Sequence, residues 1–184
     1  MVLETKRLTL RKFYIKDWKD IVDGQNHKEV VKWLVTQSYP YTKEDALKFI
    51  ENSKRSWSRK PILSYKFAIE LKKEKKIIGG VFLFLVSNDL KKAETVSWIN
   101  PKYWRKGYIT EAKIRLHNFA FNKLKLRKIE TSSFSNNIAS NNALRKLGFK
   151  KEGKRKQSRV SLATGKIHDE YLYGLLKEEW DCKK

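Results

Sequence analysis

The run Trp104-Arg105-Lys106-Gly107-Tyr108-Ile109-Thr110-Glu111 carries the clearest chemistry in the chain. It follows an extended segment, Glu94 to Asn100, and opens a long helical pattern, so a cationic, glycine-containing turn falls at a helix N-terminus. The first backbone N–H groups of a helix lack internal partners, and the helix dipole is positive there. Such a turn takes phosphate or pyrophosphate. Arg105 and Lys106 add positive charge, and Gly107 has no Cβ to hold a phosphate off the backbone. The residues therefore point to a phosphorylated ligand. No Gly-x-x-x-x-Gly-Lys-Ser/Thr and no Gly-x-Gly-x-x-Gly occurs, so nucleotide hydrolysis and dinucleotide redox chemistry have little support. His27, His117 and His168 lie far apart without metal-like spacing, and no metal is expected. The lone cysteine, Cys182, sits in a charged tail and reads as an incidental thiol; no disulfide framework can be built from it.

The elements that must position this turn follow from period and punctuation. Arg7 to Phe13 alternates as a strand, Asp17 to Gln25 and His27 to Val35 read as short helices, and Thr42 with Asp45 approximates a capping box for a helix facing inward through Ala46, Phe49 and Ile50. From Ser64 the period changes to two. Strands are predicted over 64–71, 77–86 and 93–100, the middle one buried on both faces, with Gly79-Gly80 allowing a bulge and a turn at 87–92. A helix over 107–124, a strand over 127–135, a helix over 139–147 closed by Gly148, and two last strands from Phe149 and His168 complete the order. At 184 residues, with no linker or repeat, one domain over 1–184 is expected. No apolar run approaches the roughly 20 residues of a membrane span, and the N-terminus lacks a signal-peptide core, so a cytoplasmic protein without membrane contact is expected. The net charge of +22 is spread along the chain. It suits nucleic-acid or ribosome contact, attraction of anionic ligands, or a solvated lysine-rich surface.

A second motif follows the strand at 127–135: Asn137-Ile-Ala-Ser140-Asn-Asn-Ala143-Leu144-Arg-Lys-Leu147-Gly148-Phe149. Together with Pro101 to Ala112, with Glu4 to Arg11 and with the ending Asp169 to Trp180, it resembles the GNAT family of acyl-coenzyme A-dependent N-acetyltransferases, and within it the ribosomal-protein N-terminal (Rim-type) branch. The resemblance spans nearly the whole chain. Trp104, Arg105 and Ile109 depart from the wider family's usual residues at those positions; Trp104 also fits the branch. Backbone N–H donors survive any side-chain change other than proline.

The resemblance implies an α/β GNAT fold, a mixed, mostly antiparallel central sheet split open at its middle and flanked by helices. It implies acetyl-CoA as cosubstrate, with pantetheine against main-chain groups near Trp98, Ile99 and Asn100 and the pyrophosphate on the amides of Arg105, Lys106, Gly107, Tyr108, Ile109 and Thr110. Arg145 or Lys146 would meet the adenosine 3′-phosphate, or lie on a solvated helix face. Ser140 occupies the position of the hydroxyl that serves the departing thiolate, and as a serine it also suits a helix N-cap. Asn137 would position the pantetheine amide or form a turn. Glu94 is the candidate general base, against a surface strand glutamate; Glu111 suits the helix dipole better than chemistry. The implied reaction is direct acetyl transfer to a primary amine, foremost a protein N-terminal α-amine such as that of a ribosomal protein. A small-molecule amine acetyltransferase, or a non-catalytic ribosome- or RNA-binding module on the same fold, are the alternatives; only weak, non-specific nucleic-acid contact is expected, and tight sequence-preferring RNA binding would favour the module. Acceptor choice should lie in residues 14–60 and in a 154–168 loop, and the sequence leaves the oligomeric state open.

Overall fold

The computed structural model describes residues 1–182 apart from 38, 88 and 90. Among the described residues, eight strands form one sheet: β1 (Leu3–Glu4), β2 (Leu8–Arg11), β3 (Ser64–Leu71), β4 (Lys76–Ser87), β5 (Lys92–Ile99), β6 (Lys128–Phe134), β7 (Lys150–Val160) and β8 (Ile167–Leu176). Their spatial order is β1-β2-β3-β4-β5-β6-β8-β7. All neighbours are antiparallel except β5 and β6, which run parallel and pair only at Lys92↔Lys128, Ala93↔Ile129 and Glu94↔Glu130. Past Glu94 the two strands separate, bridged by the Thr131 hydroxyl donating to the Thr95 carbonyl at 2.8 Å. The split is therefore a short parallel seam followed by two diverging edges. Helices α1 (Trp18–Gln25), α2 (Lys28–Val31), α3 (Lys43–Ser58), α4 (Tyr108–Asn118), α5 (Ile138–Lys146) and α6 (Lys177–Asp181) flank the sheet.

The two sheet faces are closed differently. Under α4, one apolar cluster crosses the seam: Ala93, Leu116, Ile129, Leu144, Tyr173 and Trp180 belong to it together. On the α1 and α3 face, the cluster of Phe13, Ile21, Ala46, Ile50, Ala68, Phe82 and Trp98 stops at β5, with no residue from β6, β7 or β8. Beyond Trp98 that face has no comparable apolar cluster, and Phe134 on β6 is covered by Trp33 and His168.

Most predicted elements are present, with informative differences. The helix expected over 27–35 is only Lys28–Val31, as suits the β-branched pair Val30-Val31. The helix expected over 107–124 begins at Tyr108, and from Phe119 to Lys123 it widens to a π turn in which Leu124 N–H reaches the Phe119 carbonyl. The wider turn lets Phe119, Ala120 and Phe121 all be buried. The bulge falls at Ile78, beside the two glycines. A Cβ on Gly79 would lie 2.5 Å from the Trp98 carbonyl and one on Gly80 2.7 Å from the Trp98 indole nitrogen, so the glycines make room for Trp98. Strand β4 is buried on both faces only over its first part. The Thr42–Asp45 capping box is present on α3. The 154–168 segment is mostly strand, with the connection confined to 161–166. In the 87–92 turn, residues 88 and 90 lie outside the described residues.

Candidate active site

Asn100 and Pro101 end β5, and a 3-10 turn leads into the candidate phosphate turn. Arg105 and Gly107 both adopt left-handed backbone, φ 60° and 76°, with Gly107 as the N-cap of α4. Alternation of this kind turns successive amides toward one point and makes an anion-binding concavity. No side chain caps α4, and its first internal bond is Glu111 N–H to the Gly107 carbonyl. The amides of Tyr108, Ile109 and Thr110 are thus left for a ligand. Arg105, Lys106 and Gly107 are exposed. Gly107 is required twice, for its positive φ and for backbone access.

The turn is braced from behind. Arg7 donates to Glu111 Oε2 at 2.6 Å and to the Lys106 carbonyl at 3.0 Å, and its guanidinium lies 4.4 Å from the Tyr108 ring centroid. Thr5 Oγ1 donates to Glu111 Oε1 at 2.7 Å. These bonds, acting against burial, hold the Glu111 carboxyl below the usual range. Glu111 ties the N-terminal segment to the start of α4 and has no free edge for chemistry. Tyr103 donates to Glu74 at 2.6 Å, and burial together with that carboxylate pushes its phenol up to about 12, so it stays protonated at neutral pH with its O–H committed to Glu74.

Along the split, strand alternation decides which main-chain groups face the gap. Thr95 offers its carbonyl to Thr131 across the gap, whereas Asn100 N–H donates to Ile78 on the β4 side. The cleft edge of β5 is therefore Thr95, Ser97 and Ile99, and the main chain of Trp98 and Asn100 turns to β4. Of the three expected pantetheine partners only Ile99 lies on the cleft edge, and its carbonyl already accepts from the Trp104 indole at 2.9 Å. Ser97, which the sequence reading passed over, presents both N–H and C=O. The Asn100 side chain is structural: it donates to Asp23 at 2.8 Å and accepts from Lys102 N–H at 3.0 Å.

On the β6 side, Asn137 caps α5, its Oδ1 accepting from Ser140 N–H at 3.2 Å. Ser140 is thus not the N-cap; it stands one turn inside, half-buried. Asn141, also passed over, is the anchor of α5: it donates to the Phe134 and Ser135 carbonyls at 3.1 and 3.2 Å and accepts from the Tyr173 hydroxyl at 3.0 Å. Arg145 and Lys146 are exposed in the last turn of α5, roughly 10 Å along the helix from its start. Arg145 touches Asn142 at 3.2 Å.

Glu94 is the last residue of the seam and, by alternation, shares the open face with Trp98 and Glu130. Among the described residues it has no hydrogen-bond or ion-pair partner. Burial is the first cause that raises its carboxyl pKa; Glu170 and Glu130 act the same way, and Arg159 and Arg155 oppose them. Glu130 itself is matched by Lys92 at 3.0 Å and Lys128 at 3.1 Å. Leu144 and Leu147 hold α5 against the α4-side core. Ser140 and Glu94 therefore stand on opposite faces of the sheet, with the split between them. Among the described residues no group of three or more His, Cys, Asp or Glu could hold a metal ion, and no helix is long and apolar enough to cross a membrane.

Known proteins share this architecture. Residues 7–150 match the acetyltransferase (GNAT) domain family. YnaD of Bacillus subtilis (strain 168), an uncharacterized N-acetyltransferase, is 29% identical over 183 residues, covering 98% of this chain and 100% of YnaD. YdaF of the same organism, whose name assigns it provisionally as a ribosomal N-acetyltransferase, is 26% identical over 181 residues, 97% of this chain and 96% of YdaF. A GNAT-family acetyltransferase of known structure from Bacillus anthracis is 26% identical with a TM-score of 0.81, covering 97% of this chain and 99% of that one. The structure of the microcin C7 self-immunity acetyltransferase MccE, in complex with acetyl-CoA and AMP, has a TM-score of 0.80 at 20% identity, covering 94% of this chain and 93% of MccE. The chain belongs to the GNAT family and is an acetyltransferase.

Proposed function

We propose that the protein transfers the acetyl group of acetyl-CoA directly to a primary amine, and that the acceptor is a protein N-terminal α-amine, with a ribosomal protein the first candidate. The observation that carries this reading is the split sheet, which runs from an uncapped helix N-terminus at Tyr108 to an unpartnered, half-buried carboxylate at Glu94. The free amides of residues 105–110 suit a pyrophosphate, and the Ser97 main chain suits a pantetheine amide. The attacking amine must be neutral to have a lone pair, and Glu94 is the group for its proton; a carboxylate of raised pKa is better matched to that transfer. The Ser140 hydroxyl stands toward the departing sulfur. An α-amine titrates near roughly 7.7–8.0 against about 10.4 for lysine, so it is neutralised at smaller cost near pH 7. The name of YdaF supports a ribosomal protein as acceptor. In this reading residues 1–184 act as one unit, and the net +22 gives at most weak, salt-sensitive nucleic-acid contact.

The test is an acceptor screen of peptides with varied N-termini, lysine peptides and small amines, read by release of free thiol from acetyl-CoA. Acetylation confined to α-amines of peptides is the expected result. Transfer only to small amines would replace the acceptor assignment, and acetyl-CoA binding without transfer to any amine would replace the enzymatic one.

A further inference from the structure

Strand β7 carries almost no apolar residue, yet it builds one feature of the open face. Arg155 pairs with Glu170 and Arg159 pairs with His168, so four steps along β7 match two along β8. The two surplus residues form a bulge in which Gln157 takes a left-handed φ of 45° and its N–H donates to Asp169 Oδ1 at 2.9 Å. Asp169 is in turn paired with Lys154 at 2.7 Å. Without the bulge, the two arginines would stand roughly 13 Å apart along the strand; with it, they face positions roughly 7 Å apart on β8. Both guanidinia converge on one carboxylate.

That carboxylate, Glu170, has a side chain only 3% exposed, and its contacts are all long: Arg159 Nε at 3.4 Å, Ser158 Oγ at 3.4 Å and Arg155 at 3.9 Å. The two arginine side chains are 59% and 43% exposed and make no other polar contact among the described residues. Two guanidinia share one close carboxylate, with Glu94 the next in their field, and most of their N–H donors are unused. A single further carboxylate would complete the set, and guanidinium forks suit it geometrically. By register, Glu170 lies on the same face as Phe134, Glu130 and Glu94. The open face thus offers an unpartnered carboxylate at Glu94 for an amine and a cationic pair beyond it for an anion. Trp33 and His168 pack on Phe134 beside this pair, His168 stacked at 4.5 Å between centroids.

We infer that Arg155 and Arg159, brought together over Glu170 by the β7 bulge, bind a carboxylate on the acceptor, so that the preferred acceptor is an amine with an acidic group close by, in a peptide an N-terminus followed by Asp or Glu. The inference rests on the acetyltransferase reading above for the amine end of the site, and it names the acceptor class.

Two peptides that differ only in Asp or Asn at the second residue, and free glutamate as a small source of the same chemistry, are titrated calorimetrically into the CoA-loaded protein, and the same compounds are tested for acetyl transfer. The Asp peptide should bind about tenfold tighter than the Asn peptide, as charge-assisted hydrogen bonds to guanidinium imply. The preference should collapse in Arg155→Gln/Arg159→Gln and persist in Arg59→Gln, a remote exposed arginine. A preference for free glutamate over either peptide would keep the anion site and assign it a small acceptor. Binding preference without transfer to any amine would keep the anion site and overturn the acetyltransferase reading. Equal or undetectable affinity for both peptides, or a preference unchanged in the double variant, overturns the inference.

Discussion

Lys113 lies on α4, one turn beyond the candidate phosphate amides, and is 7% exposed with no hydrogen bond or ion pair among the described residues. Burial lowers its ammonium from the ordinary 10.5 to about 8. A lysine whose folded pKa is depressed burdens the folded state, because between the two values the unfolded chain holds a proton that the folded chain lacks. The burden is full below pH about 8 and fades as pH rises toward 10.5. Its size follows from linkage: about 3 kcal/mol at pH 7, falling to about 1.5 kcal/mol at pH 9.5. Lys113→Met keeps the length of the side chain and removes the titrating group. The variant should therefore be more stable than the parent by about 2–3 kcal/mol at pH 7, with the gap narrowing by about half at pH 9.5. Urea unfolding at the two pH values, read by tryptophan fluorescence, measures both numbers. A variant that is no more stable at pH 7, or a gap that does not narrow with pH, would refute the reasoning and mean that the ammonium is charged and partnered in the folded protein.

His117, one turn further along the same helix, is fully buried, and burial with the nearby Lys113 charge lowers it to about 3; stability should fall as pH drops from about 6.5 toward 3, and His117→Leu should blunt that loss in acid unfolding curves. Because Asn137 is the cap, Ser140→Ala should leave stability nearly unchanged while turnover falls by about tenfold to a thousandfold; Asn137→Ala should cost about 1 kcal/mol in thermal unfolding. Full turnover in Ser140→Ala at saturating acetyl-CoA would remove the thiolate assignment. The acidic limb of the rate profile should lie above the ordinary carboxylate range, with activity lost as pH falls through the raised Glu94 pKa; Glu94→Gln should abolish that limb, and an unchanged profile would eliminate Glu94 as the base. Gly107→Asn, which tolerates the left-handed backbone, should bind acetyl-CoA in calorimetry better than Gly107→Glu, which sets a negative charge against the phosphates; equal affinities would argue against the phosphate turn.

The turn at 104–111 was legible because its chemistry is local: a glycine, two cations and the start of a helical period. The strands at 64–71 and 93–100 were legible because one buried face imposes alternation. The β7 bulge was not legible, since Lys150 to Val160 offers no apolar period and is held as a strand by backbone pairing with β8. Arg155, Arg159 and Glu170 are ordinary charged residues until that pairing brings them together. Ser97 was missed because the choice of which carbonyl faces the gap depends on the partner strand. Asn141 was hidden for a related reason: its three partners are a strand end and a tyrosine on β8, 32 residues away. The capping role that residue type alone allows Ser140 falls instead to Asn137, three residues earlier.

The three residue pairs of the parallel seam also bear on how the molecule breathes. Strands β1 to β5 and the group β6, β8 and β7 each carry extensive antiparallel ladders, but among the described residues the join between them is short: the pairs at Lys92, Ala93 and Glu94, the Thr131 hydroxyl on Thr95, and the Lys91 carbonyl, which accepts from Arg127 N–H at 2.7 Å. On one face the α4 cluster spans the join; on the other the α1 and α3 cluster stops at β5, and Trp33 packs across on Phe134. The two ladders are thus two sub-globally opening units hinged on a shared floor, and the amides at the seam should exchange with solvent well before those within either ladder. A ligand lying along the split would supply main-chain hydrogen bonds that the seam lacks. Its binding would then slow exchange on both edges together, so that part of the free energy of cosubstrate binding appears as cooperativity between two halves of one sheet.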